Sequence, residues 1–183
     1  MAYAKAQVLS GSPSEAQTKS AFRHHVTAGI LAGQISGLIM AVVMMLVFTV
    51  FLGKGPLYPV QVIGSFVVGD EALQGFHIPA LLAGLLLHQL GPALFWGVAL
   101  GVITYFVKTK SGAPLAVLGI FLGLLSQVID VNIIMPIAMN ALHGHNIWAE
   151  QVPTFWSWAA HLVFGLGLLV YPRVLKRLAG PAS

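Results

Sequence analysis

The stretch that decides the fold is residues 26–52, VTAGILAGQISGLIMAVVMMLVFTVFL, which contains no charged side chain. A helix of about 20 apolar residues is long enough to cross the hydrocarbon core of a bilayer, which is roughly 30 Å thick. Three further stretches have similar length and apolar character, at residues 79–107, 113–139 and 153–171. The sequence therefore predicts an all-α integral membrane protein, a bundle of four spanning helices.

The composition of the whole chain agrees with this interpretation. Of its 183 residues, 57% are hydrophobic and 8% are charged, which leaves too little polar surface to cover a water-soluble domain. The absence of Cys excludes disulfides, thiolate nucleophiles and iron–sulfur ligation. The net charge of +4 is explained by topology and by attraction to anionic lipid. We therefore expect membrane lipid, and no nucleic acid, as a partner.

The lysine and arginine residues predict the orientation of the chain, because cytoplasmic loops carry an excess of positive charge. All but Lys54 lie before the first span, between the second and third spans, or after the fourth. These residues are Lys5, Lys19, Arg23, Lys108, Lys110, Arg173, Lys176 and Arg177. Both termini are therefore predicted in the cytoplasm, as tails over residues 1–25 and 172–183.

Two outer loops follow from this topology. The first contains residues 58–69, YPVQVIGSFVVG, which are apolar but too few to span a bilayer. They predict a re-entrant or interfacial segment. The second, residues 140–151, carries His143 and His145. Together with His77 of the first loop, these histidines are candidates for a separate metal site on the outer side.

Small residues recur at four-residue intervals in three of the spans. In a bilayer such stripes let helix backbones approach closely, because no hydrophobic effect drives helices together. We therefore interpret these glycines as helix-packing positions in one compact bundle. They are Gly29, Gly33, Gly37, Gly97, Gly101, Gly119 and Gly123.

A second pattern places polar and sulfur-bearing side chains at one depth in the four spans. At about 1.5 Å of rise per residue, His88, His161 and Asp130 fall in one layer below the outer boundary, and Met44 and Met45 join them. Polar residues in hydrocarbon are costly and usually mark a functional site. Three further polar residues lie close to this layer. They are Gln89, Gln127 and Asn132.

Several interpretations of this layer remain open. His88 and His161 could be the axial ligands of a haem b, with clearance provided by Gly84, Gly91, Gly165 and Gly167. The scarcity of outer-side lysine and arginine to pair with haem propionates counts against that interpretation.

In a second interpretation the two histidines bind a transition metal such as copper together with Met44 or Met45, since imidazole and thioether are suitable ligands. In a third, Asp130 is the coupling carboxylate of a small ion- or proton-coupled transporter. A fourth, purely structural interpretation is that these side chains bond to one another and fix the register of the helices.

The order of several motifs resembles a group of small bacterial inner-membrane proteins of unassigned function. The resemblance covers residues 26–171 and implies a four-helix fold in the bacterial inner membrane. It also singles out the two histidines of the layer. The matching positions are Ala28-Gly-Ile-Leu-Ala-Gly33, Met40-Ala-Val-Val-Met44, Tyr58-Pro59, Gly69, His88, Pro136 and His161-Leu-Val-Phe-Gly165.

The sequence contains no nucleotide-binding loop, no Ser-His-Asp arrangement and no paired catalytic carboxylates that we can identify. We therefore expect the chain not to be catalytic by itself. The function we predict is that of an accessory subunit of a larger respiratory or redox membrane complex. In that role the chain would contact other membrane subunits, stabilise the core of the complex and hold a haem b or a metal.

Overall fold

The computed structural model describes residues 15–109 and 111–180, a part of the chain that excludes Lys5 and Lys110 of the orientation argument. The described residues form helices and contain no strand. Four helices are long and apolar enough to cross a membrane, which confirms the prediction of an all-α fold with four such helices. In chain order the helices are α1 (Glu15–Val50), α2 (Tyr58–Val68), α3 (Ile78–Val107), α4 (Gly112–His143), α5 (Ile147–Gln151) and α6 (Thr154–Ala179).

Helices α1 and α6 extend beyond the predicted spans into the segments predicted as tails. Helix α1 begins at Glu15, which forms an i,i+4 ion pair of 2.5 Å with Lys19. Helix α6 continues through three basic residues to Ala179. Hydropathy marks only the part of a helix that lipid can surround, whereas backbone hydrogen bonding continues into polar residues of good helix propensity. Helix α1 therefore begins before the first predicted span, and helix α6 ends after the fourth.

Helix α1 lies at the centre, with α3 and α6 packed antiparallel against it. Its Gly29 lies against the backbone of Gly97 and Gly101, so a methyl group at position 29 would overlap the Gly97 carbonyl oxygen. Helix α4 packs antiparallel against α6, where Gly119 contacts the backbone of Gly165. The backbones approach closely because no side chain separates them. The bundle thus orders its long helices as α3, α1, α6 and α4.

The short helix α2 occupies the first predicted outer loop. It packs antiparallel to the first half of α3, where its Gly64 lies against the carbonyl of Ala80 and Gly84 of α3 lies against the carbonyl of Val60. Pro59 stands in its first turn, a position where the missing N–H costs no hydrogen bond. The segment 58–68 is therefore a folded part of the bundle that covers one face of α3.

Two of the long helices contain wider, π-helical turns. In α3 the turn runs from Gln89 to Ala93 and contains Pro92. In α4 it runs from Gln127 to Ile134, directly before Pro136. Proline lacks the N–H that an α-helix needs and clashes with the preceding turn, and a wider turn relieves both problems. Such turns are frequent at functional sites. The turn in α3 directly follows His88, and the turn in α4 contains Asp130.

Candidate functional site

His161 lies on α6 and is buried. Its Nδ1 donates to the carbonyl oxygen of Ser157, one turn earlier, at 2.9 Å. A carbonyl oxygen only accepts, so this bond places the proton of a neutral imidazole on Nδ1 and the lone pair on Nε2. Among the described residues nothing bonds to Nε2. His161 therefore presents a fixed hydrogen-bond acceptor.

His88 has the same arrangement on another helix. It is the last residue of α3 before the π-helical turn, and its Nε2 donates to the carbonyl oxygen of Gly37 on α1 at 3.1 Å. This bond leaves Nδ1 of a neutral imidazole as an acceptor, and no described residue bonds to it. A side chain at Gly37 would meet Ala93 and Gln89 of α3, so this glycine lets the two helices approach.

Asp130, on α4, is the third ionisable residue of this group. Its Oδ2 accepts a hydrogen bond from the indole Nε1 of Trp96 on α3 at 2.7 Å. Within residues 15–109 and 111–180 it has no Lys, Arg or His within ion-pair distance. A tryptophan N–H is the kind of partner that a carboxylate can find in an apolar environment. The bond ties α3 to α4 across the space between them.

These three side chains line one cavity of about 690 Å³. Most of the other lining residues are apolar or aromatic, and none of the described residues that line the cavity is a lysine or an arginine. The cavity opens between α3 and α4, since the lining residues Leu90 and Phe95 are 64% and 63% exposed. The apolar and aromatic lining residues include Met40, Phe66, Phe95, Trp148 and Phe164.

The methionines predicted in this layer lie elsewhere. Met44 is buried and Met45 half-buried in α1, and neither lines the cavity. Met40 does, one turn earlier. In the part of the chain that the structure describes, no group of three or more His, Cys, Asp or Glu side chains could hold a metal ion. The structure therefore does not assemble the predicted histidine and methionine ligand set.

The predicted amide residues form a polar network beside the cavity. The hydroxyl of Ser157 donates to Oε1 of Gln127 at 2.8 Å, and Nε2 of Gln127 donates to Oδ1 of Asn132 at 3.0 Å. Gln127 is buried, whereas Asn132 is exposed. Gln89 lies against Gly37, and both polar atoms of its amide are buried without a partner among the described residues.

Of the four glycines expected to leave clearance for a porphyrin, only one borders open space. Gly84 lies against α2, Gly165 against α4 and Gly167 against Ser36 of α1. Gly91 has no atom within 4 Å of the position where a side chain would begin, and it lines the cavity. Neighbouring helices therefore use most of the space that the sequence pattern assigned to a haem.

The three histidines of the predicted outer loops do not form one group. Nδ1 of His77 accepts from the backbone N–H of Ala80 at 3.1 Å and caps α3. Nε2 of His143 donates to the carbonyl of Phe66 at 3.0 Å. The prediction of a joint outer metal site is therefore not met by this arrangement, because each histidine is engaged in a separate contact.

His145 instead joins two carboxylates. Its Nδ1 lies 2.7 Å from a carboxylate oxygen of Glu150 and its Nε2 lies 3.0 Å from one of Asp70. The hydrogen bond to Glu150, followed by that to Asp70, raises the pKa of His145 above its ordinary value of 6.5. This histidine–carboxylate cluster of His145, Glu150 and Asp70 links the turn after α2 to the loop around α5.

A second buried polar cluster lies at the opposite end of the bundle. The hydroxyl of Tyr171 on α6 lies 2.7 Å from Nδ1 of His25 on α1 and 2.7 Å from Oγ1 of Thr104 on α3. All three side chains are buried. The cluster joins three of the long helices, so we interpret it as a structural contact that fixes their register.

Sequence reasoning missed Trp96 and Trp148 as parts of the site. The position of Trp96 in the middle of a span could have indicated its role, because tryptophan is usually found in the interfacial belts. Comparison with protein-family models, curated proteins and solved structures found no match to this chain. The residues of the site are therefore the basis for a functional proposal.

Proposed function

We propose that the chain is an accessory subunit of a larger respiratory or redox complex in the bacterial inner membrane, and that its cavity holds a lipophilic ligand of that complex. The observation that carries the proposal is the cavity between α3 and α4. Three helices each contribute one ionisable side chain to an otherwise apolar space. Apolar pockets with a few converging polar groups are the usual form of a small-molecule site.

The proposal includes a membrane placement. Cytoplasmic termini are supported by the positions of lysine and arginine along the sequence. Helix α2 would then be a re-entrant helix on the outer side, because it packs along the outer half of α3. In this placement the cavity opens toward hydrocarbon, so a ligand can reach it from the bilayer.

Asn132 supports a protein partner. It is exposed near the middle of the apolar part of α4, between the exposed residues Val128 and Ile137. Its Oδ1 accepts from Gln127, but its amide N–H groups have no partner among the described residues, which is costly where they face lipid tails. A helix of another subunit, with its own polar side chain at this depth, would satisfy the Asn132 amide.

The test is purification of the tagged chain from its native membrane in a mild detergent. We expect larger membrane proteins to co-purify at a fixed ratio, and Asn132→Ala to reduce that ratio. Ile137→Ala, which truncates a side chain that is 68% exposed on the same helix, is the matched control and should leave the ratio unchanged. Purification of the chain only as a homo-oligomer would contradict the proposal.

A small ion- or proton-coupled transporter is the second candidate, and the observation that favours it is Asp130. This carboxylate lines the cavity and pairs with no described cation. A transporter would lose transport in Asp130→Asn and retain its fold, because the amide oxygen can still accept from Trp96. It would also purify without larger partners, which separates it from the subunit.

A further inference from the structure

We infer that the ligand of the cavity is a lipid-soluble hydroquinone, a flat aromatic ring with two hydroxyl groups and an apolar tail. This inference rests on the proposed function, since it names the chemical class of ligand for the same cavity. The inference concerns the binding of this ligand and assigns no reaction to the protein.

The charge of the lining residues excludes strongly anionic ligands. No lysine or arginine lines the cavity in the part of the chain that the structure describes, and with both imidazoles neutral the formal charge of these lining residues is the carboxylate of Asp130. A haem carries two propionates and a phospholipid carries a phosphate, and each of these groups needs a cationic or multiple-donor partner when it leaves water. An uncharged ligand avoids this cost.

The hydrogen-bonding groups of the cavity are acceptors. Nε2 of His161 and Nδ1 of His88 carry lone pairs when the imidazoles are neutral, because the other nitrogen of each ring donates to a backbone carbonyl. Asp130 has one oxygen beyond the one that accepts from Trp96. The ligand must therefore supply donors, and hydroxyl groups do so.

The side-chain donors of two lining residues are already used. The indole N–H of Trp96 donates to Asp130, and the hydroxyl of Ser126 donates to the carbonyl of Gly123 at 2.6 Å. A quinone offers only carbonyl acceptors, which would meet the acceptors of His88, His161 and Asp130. The reduced form should for this reason bind more tightly than the oxidised form.

The lining of the cavity suits a ring with a tail. The acceptors come from three different helices, so the two hydroxyl groups of one ring have separate candidate partners. Aromatic lining residues, among them Phe66, Phe164 and Trp148, provide surfaces for an aromatic ring. The exposed residues Leu90 and Phe95 border the opening, where an apolar tail would continue into the bilayer.

The test uses the full chain in lipid nanodiscs with decylubiquinol, kept reduced under anaerobic conditions, and decylubiquinone as probes. Dissociation constants are obtained from the ligand-dependent increase in the unfolding temperature. Each hydrogen bond that only the quinol can make is expected to favour it by about fivefold. We therefore expect saturable binding of both forms, with the quinol bound at least about fivefold more tightly.

Variants separate this inference from a structural role of the same side chains. His161→Phe keeps a ring of similar size and removes the acceptor, so it should weaken quinol binding by about fivefold and leave quinone binding little changed. Asp130→Asn should reduce the preference in the same way, since an amide also offers a donor. The matched controls are His24→Phe and Glu71→Gln, which change a histidine and a carboxylate that do not line the cavity.

Three results would overturn the inference. They are equal affinity for the two forms, a preference that survives both cavity variants, or equally strong competition by decanol, which has a tail and a hydroxyl but no ring. Co-purification of larger chains together with any of these results would leave the subunit function standing with another lipophilic ligand. Selective quinol binding without co-purifying chains would overturn the subunit function and leave the ligand class standing.

Discussion

The indole Nε1 of Trp96 donates to Oδ2 of Asp130 at 2.7 Å and joins α3 to α4 across the cavity. Both residues lie close to or within the π-helical turns of their helices. The wider turns change which side chains face the cavity, and the hydrogen bond fixes the two turns relative to each other. This contact therefore connects the local helix geometry to the candidate site.

Trp96→Phe tests this contact, because it keeps an aromatic ring and removes the N–H. The carboxylate of Asp130 then has no partner among the described residues, and a buried polar group without its partner costs about 1–3 kcal/mol. We expect a corresponding decrease in thermal stability in detergent. Trp156→Phe is the control, since Trp156 packs against Phe51 and Phe155 and makes no hydrogen bond through its side chain in the described structure. Equal stability of the two variants would contradict the assigned role of Trp96.

The glycines of α1 and α3 differ sharply in the space around them. A methyl group at Gly33 would overlap the carbonyl oxygen of Ala93, and the helices cannot separate without losing contacts along their length. Gly33→Ala should therefore destabilise the protein by about 1–3 kcal/mol, the usual cost of overpacking. Gly91→Ala adds the same methyl group to another helical glycine with open space around it.

Gly91→Ala should change the free energy of unfolding by less than about 1 kcal/mol, the scale of the helix-propensity difference between Gly and Ala. Urea or thermal unfolding of the two variants in the same detergent measures this difference. If Gly91→Ala proved as destabilising as Gly33→Ala, the packing described here for α1 and α3 would be wrong.

Ser157 provides a third test, at the network that joins α6 to α4. Its hydroxyl donates to Oε1 of the buried Gln127. Ser157→Ala leaves this oxygen without that donor, so the protein should lose about 1–3 kcal/mol of stability. Ser126→Ala serves as the control, because the Ser126 hydroxyl bonds only to a backbone carbonyl of its own helix. A cost no larger than that of the control would show that the inter-helix bond contributes little.

The histidine–carboxylate cluster around His145 predicts a dependence of stability on pH. Hydrogen bonds to Glu150 and Asp70 raise the pKa of His145 above 6.5 in the folded state. The protonated imidazole therefore stabilises the fold fully below pH 6.5, and this contribution is lost as the pH rises through the higher folded pKa. The double variant Asp70→Asn and Glu150→Gln removes both charges.

The difference in unfolding temperature between the wild type and this double variant should decrease from slightly acidic to alkaline pH, because the favourable charge on His145 disappears. Thermal scans at several pH values in one buffer system of constant ionic strength measure the difference. A difference that increases with pH would contradict the assigned sign.

Much of the fold was predictable from residue patterns. The apolar stretch at residues 26–52 and its three counterparts give four long helices because hydrocarbon-compatible length is a strong signal. The beginning of α1 and the end of α6 were harder to predict, because hydropathy does not distinguish a polar continuation of a helix from a loop. The fold of residues 58–68 as a helix packed on α3 depends on Gly64 and Gly84, whose partners are distant in sequence.

The candidate site was predictable only in part. Counting residues along each span placed His88, His161 and Asp130 at one depth, and the structure brings all three to one cavity. The same count placed Met44 there instead of Met40, because depth alone does not determine which side of a helix faces the site. In α3 and α4 the π-helical turns also change which side of the helix faces the cavity. Pro92 and Pro136 were the sequence signals for these turns.

The measurement that most directly tests the central claim, that the cavity holds a lipophilic ligand, is native mass spectrometry of the protein released gently from its own membrane. The comparison is between the wild type and Gly91→Leu, which places a larger side chain in the open space beside the cavity. Gly55→Leu, at a glycine that also has no atom within 4 Å of its side-chain position but does not line the cavity, is the control. We predict one bound lipophilic molecule of defined mass on the wild type and on Gly55→Leu, and its loss from Gly91→Leu. The same bound mass on all three proteins, or no bound molecule on the wild type, would contradict the claim.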